Sequence, residues 1–186
     1  MNAVIENILN RRSVRVYTED QIKQEDLELV LNAGLYSPSG CNMQPWHFTV
    51  IQNQELIDEL SVESKKEFAD SENEMFRKMA SNESYKLFYN AKTIIVVSGE
   101  KSAVTAPTDC AAATENMMLA AESLGIGSCW IGLVTFLFKS KRGAEYAEKL
   151  GIPDGYEPYY AITLGYKKYD NAKAPQRREN TVTYIK

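Results

Sequence analysis

The feature that most constrains the fold of this chain is the nearly continuous apolar run Ala-Lys-Thr-Ile-Ile-Val-Val-Ser at residues 91–98. A half-exposed strand alternates apolar and polar residues, so this run predicts a strand that is buried on both faces. Helical periodicity precedes and follows it, at residues 24–36 and in the apolar stripe at residues 113–124. A chain in which strands and helices alternate in this way folds as an α/β or an α+β domain.

The other predicted elements complete a single domain over residues 1–186. Short helices are expected at residues 3–9 and 140–150, and further strands at residues 46–51, 127–132 and 159–165. Residues 54–88 are charged and predict exposed helices or a lid. The tail, residues 166–186, ends in a β-prone segment but cannot bury itself alone, so we expect it to pack on a partner subunit.

Composition disfavours several classes of protein. A net charge of −4 and a pI near 5.2 argue against nucleic-acid binding, which uses a basic domain. No apolar run reaches the roughly 18–20 residues that span a membrane, and the N-terminus lacks the pattern of a secretory signal. Three widely spaced cysteines and one histidine, His47, disfavour a zinc site or a Ser-His triad and fit a reducing, cytoplasmic location. No Gly-x-Gly-x-x-Gly or Walker-type loop supports a Rossmann or P-loop nucleotide site.

A candidate anion-binding site is formed by four residues close together in the sequence, Arg11, Arg12, Ser13 and Arg15. The β-branched and aromatic residues among and after them favour an extended backbone. Alternate side chains of an extended chain point the same way, so Arg11, Ser13 and Arg15 are expected to share one side. Two guanidinium forks and a hydroxyl suit a terminal phosphate. From the residues alone, a solvated basic arm explains the run equally well.

A second informative stretch is the loop Ser-Pro-Ser-Gly-Cys-Asn-Met-Gln-Pro-Trp at residues 37–46. The side chains of Asn42 and Gln44 each carry donors and an acceptor, which match the alternating acceptors and N–H of a flavin's pyrimidine edge. Pro38 and Pro45 stiffen the loop and so lower the entropy cost of presenting these amides. The alternative is a structural loop whose amides satisfy their own backbone.

Four motifs, taken in order, resemble the nitroreductase family of FMN-dependent oxidoreductases. They are Arg-Arg-Ser-Val-Arg at residues 11–15, Ser-Pro-Ser-Gly-x-Asn-x-Gln-Pro-Trp at 37–46, Leu-Gly-Ile-Gly-Ser-Cys-Trp-Ile-Gly at 124–132, and Leu-Gly-Tyr at 164–166 with the late Arg177 and Arg178. Together they span nearly the whole chain. The resemblance implies an α+β fold with a central, mainly antiparallel sheet surrounded by helices. It also implies a homodimer that holds FMN at the subunit interface, with the C-terminal tail embracing the partner.

The resemblance also implies roles for residues at matching positions. Those expected to face the FMN phosphate, ribityl chain and pyrimidine edge are Arg11, Arg12, Ser13 and Arg15, with Arg177 and Arg178 completing the phosphate grip. Those expected to pack along the flavin from the other subunit are Pro38, Ser39, Gly40 and Asn42, in the same loop as Gln44. Those expected beside the isoalloxazine, with a backbone N–H near N5, are Trp130, Ile131, Gly132 and Leu133. No catalytic side chain and no metal are expected, because the flavin carries the chemistry.

The implied activity is hydride transfer from NAD(P)H to flavin N5, followed by electron transfer to a nitroaromatic, quinone or similar small acceptor in a ping-pong cycle. Alternatives with the same fold are a specialised flavin enzyme for dehalogenation, dehydrogenation or flavin breakdown, and a non-catalytic flavin-binding or storage protein. Many relatives have a second glycine where this chain has Leu133, so the leucine is expected to narrow the flavin pocket or shift the loop. The acceptor and the preference between NADH and NADPH stay open.

Overall fold

The apolar run becomes β2 (Thr93–Glu100) of a four-stranded sheet in the computed structural model, which describes residues 1–170 and 173–186. Across the sheet the strands lie in the order β1 (Trp46–Ile51), β2, β4 (Tyr156–Tyr166) and β3 (Ile126–Ile131). Every neighbouring pair is antiparallel. The α+β class with an antiparallel sheet is therefore confirmed, and the α/β alternative is excluded for the described chain.

Helices surround the sheet: α1 (Ala3–Asn10), α2 (Gln24–Leu35), α3 (Gln54–Glu67), α4 (Glu74–Ser81), α5 (Ala106–Ser123), α6 (Thr135–Lys139) and α7 (Gly143–Lys149), with a 3-10 turn at Gly40–Asn42. The long helix α5 begins after Thr105 with Pro107 in its first turn, where the missing N–H has no intrahelical partner to lose. It ends before Gly125, whose φ of +75° is the left-handed conformation that suits glycine after a helix. None of the described helices combines the length and apolar character needed to cross a membrane.

Two hydrophobic cores lie on opposite faces of the sheet. Side chains of β2 alternate between them, with Ile95 and Val97 packed in the core that contains Met117 of α5. Ile94 and Val96 belong to the other core, to which α3, α6 and α7 contribute. Because helices cover both faces, residues 93–99 are all buried, as the apolar run predicts.

The segment at residues 54–88 differs from the sequence prediction in its exposure. The segment contains two helices, and of these α4 has no buried residue. Helix α3 buries Ile57 and Leu60; Phe68 is buried just after α3, and Leu87 and Phe88 are buried after α4. The many charged residues of this segment occupy one side of α3, which leaves a stripe at helical spacing to complete the core. The expectation of exposed helices is therefore wrong for α3, and a lid stays a prediction.

Both ends of the chain lack a core of their own. Helix α1 has no buried residue. Within the tail, residues 173–186 are exposed along their whole length. Its last residues include Val182, Tyr184 and Ile185, which are large and apolar and lie in solvent in a single protomer. The packing of this tail on a partner stays a prediction.

Candidate functional site

Residues 11–17, here called the arginine segment, lie along the edge of the sheet. Ser13 forms a parallel bridge with Ser128 of β3, and Tyr17 forms an antiparallel bridge with Lys167, just beyond β4. Strand β3 is an edge strand, so its outer side is free to receive this segment. The segment is therefore extended, as its residue types predict.

The first two arginines of the segment have different surroundings. The Nε atom of Arg11 lies 3.6 Å from Glu115 of α5. Its Nη1 atom is buried and has no hydrogen-bond partner among the described residues, which is costly for a charged donor unless a ligand supplies an acceptor. Arg12 instead turns back to the end of α1, where its Nη1 donates to the carbonyls of Leu9 at 2.7 Å and Arg11 at 2.6 Å. Arg12 thus stabilises the last turn of α1, and its contact with a cofactor stays a prediction.

The thiol of Cys129, buried in β3, lies beside the arginine segment. Burial raises the pKa of Cys129, whereas the charge of Arg15, a hydrogen bond with Ser13 and the charge of Arg11 oppose that rise. Arg11, Ser13 and Arg15 therefore all lie close enough to Cys129 to influence its thiol. A buried thiol with a raised pKa is a poor nucleophile, so Cys129 is a structural residue.

Arg15 also contacts a pair of tyrosines that the sequence analysis missed. Its guanidinium carbon lies 5.7 Å from the ring centroid of Tyr89, which meets Tyr85 edge-on at 6.1 Å. These three residues line one side of a cleft of about 480 Å³. No local pattern signals this contact, because the tyrosines are more than 60 residues from Arg15 in the chain.

The end of β3 leads to an exposed glycine, Gly132. Trp130 is half-buried, with its ring 4.6 Å from that of Tyr160, and Ile131 is buried in the core. Gly132 is exposed, and a Cβ placed on it would have no described atom within 4 Å. The Leu133 side chain packs against the hydrophobic core that contains Ile131. The open position therefore adjoins Gly132, and the narrowing effect expected of Leu133 has no support in this packing.

The loop at residues 37–45 is fastened to the first turn of α5 by a buried carboxylate. Asp109, which is 6% exposed, accepts the N–H of Gly40 on both oxygens at 3.2 Å and the hydroxyl of Thr105 at 2.8 Å. Gly40 lies so close to Thr105 that an added Cβ would collide with its hydroxyl oxygen. Asp109 is a second residue that the sequence analysis missed, because an acidic residue in a first turn ordinarily indicates only a helix start.

The two amides of this loop bind each other. The Nε2 atom of Gln44 donates to Oδ1 of Asn42 at 3.0 Å, and the hydroxyl of Ser39 accepts the Gln44 N–H at 3.0 Å. Cys41, Asn42 and Gln44 have φ values of +50°, +56° and +48°, an unusual backbone for residues with a side chain. Pro38, Asn42 and Gln44 are exposed, so the remaining amide atoms face solvent. The alternative of a structural loop thus explains part of the hydrogen bonding of the two amides. Their contact with a flavin stays a prediction.

Within one protomer the predicted site residues form two separate groups. The arginine segment meets β3 through the bridge between Ser13 and Ser128, whereas the loop is held at Asp109. Asp109 and Glu115, the partner of Arg11, are about 9 Å apart along α5 at about 1.5 Å per residue, and they lie on different faces of the helix. Among the described residues no hydrogen bond or ion pair of Arg11, Ser13 or Arg15 reaches the loop at residues 37–45. No cluster of three or more His, Cys, Asp or Glu side chains is placed to hold a metal ion in the described chain.

Comparison with known proteins gives consistent matches over most of the chain. The family model described as the nitroreductase family matches residues 8–166. A protein of Archaeoglobus fulgidus, provisionally named NADH dehydrogenase/NAD(P)H nitroreductase, is 36% identical over 173 residues, which are 90% of this chain and 87% of that protein. The crystal structure of a nitroreductase with bound FMN from Bacteroides fragilis has a TM-score of 0.91 and 38% identity, with all of both chains covered. A nitroreductase with bound FMN from Desulfitobacterium hafniense has a TM-score of 0.90 and 29% identity, again with both chains fully covered.

The attachment of the loop to α5 gives a stability prediction. We expect Asp109→Asn to lower the free energy of unfolding by about 1–3 kcal/mol, because one of two donors, the Gly40 N–H or the Thr105 hydroxyl, loses its acceptor. The control is Asp20→Asn, since Asp20 is exposed and accepts only from the nearby Thr18, and we expect a change within about 0.5 kcal/mol. Urea unfolding of both variants measures the difference. Equal unfolding free energies would contradict a fastening role for Asp109.

Proposed function

The chain belongs to the nitroreductase family, and we propose that it is an FMN-dependent oxidoreductase that takes a hydride from NAD(P)H and reduces a small acceptor. FMN is the bound group in two solved relatives that match this chain over its whole length, at 38% and 29% identity. A nicotinamide donor is indicated by the name of the relative from Archaeoglobus fulgidus. A nitroaromatic, a quinone or a similar compound is the acceptor that we propose.

The buried, unpartnered Nη1 of Arg11 is the observation that carries this proposal. Among the described residues nothing accepts its hydrogen, and the phosphate of FMN supplies suitable oxygens. Arg11 and Arg15 both lie near enough to Cys129 at the edge of β3 to act on its pKa, so two guanidinium charges are available to an anion in this part of the protein. The open space beside Gly132 leaves room for a ring to approach the backbone. The residues present therefore fit the group.

When bound, FMN supplies the redox chemistry by accepting a hydride at N5 from the reduced nicotinamide and then giving up the electrons to the acceptor. The chain's own part is to bind and orient. We propose that Arg11, Ser13 and Arg15 hold the phosphate and the polar edge, and that Gly132 admits the ring. We keep Arg12, Arg177 and Arg178 as further contacts proposed on the resemblance alone.

Neither the histidine nor the buried cysteine is placed to act as an acid or a base at this site. His47, the only histidine, lies on β1, which is the opposite edge of the sheet from the arginine segment. Its ring packs edge-on against Tyr156, with centroids 5.9 Å apart. Cys129 is buried with a raised pKa. These placements support a site in which the protein binds and the cofactor reacts.

The proposed activity is tested by the visible spectrum of the purified protein without oxygen. We expect a yellow protein that NADH or NADPH bleaches, and whose colour returns when a nitroaromatic or a quinone is added. Initial rates with both substrates varied should give the parallel double-reciprocal lines of a ping-pong cycle. A yellow protein that neither nucleotide bleaches would contradict the proposed activity, and a colourless protein that does not take up FMN would contradict the cofactor.

The proposed phosphate grip gives a binding prediction. We expect Arg11→Ala and Arg15→Ala each to weaken FMN binding by about 10- to 100-fold, because a hydrogen bond to a charged group contributes about 1.5–3 kcal/mol. The control is Arg77→Ala on α4, where the guanidinium donates only to the nearby carbonyls of Ser71 and Glu72. The measurement is the FMN-to-protein ratio after gel filtration. Unchanged FMN content in both site variants would remove the arginine segment from the cofactor site.

We further propose that the working unit is a homodimer with a site built from both chains. Two observations support it. The loop and the arginine segment are separate within one protomer, so a second copy is needed to bring a loop to the segment. Large apolar side chains are also exposed at both ends of the chain: Val4, Ile5, Ile8 and Leu9 on α1, and Val182, Tyr184 and Ile185 in the tail. On α1, Val4 and Ile8 are four residues apart, as are Ile5 and Leu9, so the four side chains form one stripe that is exposed in the described protomer.

The dimer proposal is tested by a charge placed in the α1 stripe. We expect Ile8→Glu to give a monomer that has lost FMN, because a buried carboxylate without a partner prevents association. Val62→Glu on α3 is the matched control, since Ile8 and Val62 are both 46% exposed in the protomer. Sedimentation velocity with detection of flavin absorbance measures both properties. A monomeric Ile8→Glu protein that keeps one FMN per chain would contradict the two-chain site.

A further inference from the structure

The tyrosine at the end of the arginine segment is inserted beneath the segment. Tyr17 is 7% exposed, and its ring packs closely on Gly165 of β4, where an added Cβ would come within 2.8 Å of the ring. The ring therefore points back along the segment toward Val14 rather than into solvent. Its hydroxyl oxygen lies 2.6 Å from the carbonyl oxygen of Val14 and 2.7 Å from Oγ1 of Thr163.

The direction of these two hydrogen bonds follows from the groups involved. A carbonyl can only accept, so the single hydroxyl hydrogen of Tyr17 is donated to Val14. Thr163 must then donate its own hydrogen to the Tyr17 oxygen, and its other acceptor, the carbonyl of Cys129, is farther away at 3.4 Å. Burial raises the pKa of Tyr17, which keeps the hydroxyl protonated and able to donate. The result is a buried chain of donors from Thr163 through Tyr17 to Val14.

This chain fixes the curvature of the segment around Arg15. The N–H of Val14 donates to the Ser128 carbonyl at 2.9 Å, and the N–H of Thr18 donates to the Tyr166 carbonyl at 2.9 Å. These bonds attach the segment to β3 at one point and to β4 at another. Between them, the Tyr17 hydroxyl ties the far end of the segment back to the carbonyl of Val14.

We propose that the Tyr17 hydroxyl, held by Thr163, is a positioning group that preorganises the arginine segment for its anionic cofactor. This inference rests on the proposed function, in which the segment holds FMN. Tyr17 itself does not touch the cofactor in this scheme. Without the hydroxyl the segment keeps its backbone bonds to Ser128, Tyr166 and Lys168 but has more conformational freedom around Arg15, and FMN binding must then offset the entropy lost on ordering it. The contact is available only to tyrosine at this position, since phenylalanine fills the same space without the hydrogen bonds.

The test compares FMN binding with unfolding stability in variants that keep the packing. Tyr17→Phe retains the ring against Gly165 and removes only the hydroxyl, and we expect FMN to bind about 5- to 10-fold more weakly. The measurements are the release of FMN from the loaded protein on dilution, followed by flavin fluorescence, and the affinity of the apoprotein for added FMN. Tyr146→Phe is the control, because the Tyr146 hydroxyl is bound to Glu59 at 2.8 Å, in the contact between α7 and α3 and not in the arginine segment. We expect Tyr146→Phe to lose stability and to keep normal FMN affinity.

Thr163 provides a second comparison that does not depend on the folding of Tyr17→Phe. Thr163→Ser keeps the donor and loses a methyl group, so we expect lower stability and normal FMN affinity. Thr163→Val keeps the shape and loses the donor, so we expect weaker FMN binding. The inference is overturned if Tyr17→Phe and Thr163→Val bind FMN within twofold of the parent, or if affinity falls only in proportion to stability in all four variants. If Arg15→Ala also keeps FMN, the proposed function fails; if only Arg15→Ala loses it, this inference alone fails.

Discussion

Burial of the central strand pair on both faces is the constraint on which the rest of this structure depends. Strands β2 and β4 present apolar side chains to two separate cores, so helices must cover the sheet on both sides. A polar ligand site cannot then lie on a face of the sheet. It is confined to an edge or to the ends of strands, and the arginine segment occupies the outer edge of β3. The fold thus decides where an anion site can exist before any particular residue is chosen.

Some buried polar groups are hydrogen-bonded within the chain, whereas others have no described partner. Asp109 and the Tyr17–Thr163 pair are buried and fully bonded, and both hold loops or segments that carry candidate site residues. The Nη1 of Arg11 is buried and unpartnered among the described residues. Because an unsatisfied buried donor is unfavourable, it persists where a bound acceptor repays it. Arg11 Nη1 is one of six buried side-chain atoms without a described partner, and it is the one that carries a positive charge, so an anion is the ligand that would satisfy it.

The proposal that the site is built from two chains rests on two features of the single protomer. The loop at residues 37–45 is strained at three residues and is held by α5, yet it contacts no other candidate group of its own protomer through a described hydrogen bond or ion pair. Apolar side chains on α1 and the tail are exposed at the same time. A second copy would cover the apolar surfaces and bring the loop to the cofactor, so one association would answer both observations.

The sequence by itself determined the elements and the family, whereas the tertiary structure decided how distant residues meet. Periodicity located the helices and strands, and the doubly buried strand, because burial imposes a local repeat on the chain. The motifs identified the arginine segment and the loop. The prediction that α3 is exposed was wrong, because its many charged residues conceal an apolar stripe at helical spacing. The contacts of Arg15 with Tyr89, Gly40 with Asp109 and Tyr17 with Thr163 could not be predicted. Each joins residues far apart in sequence, and only the sheet order and the packing of α5 bring them together.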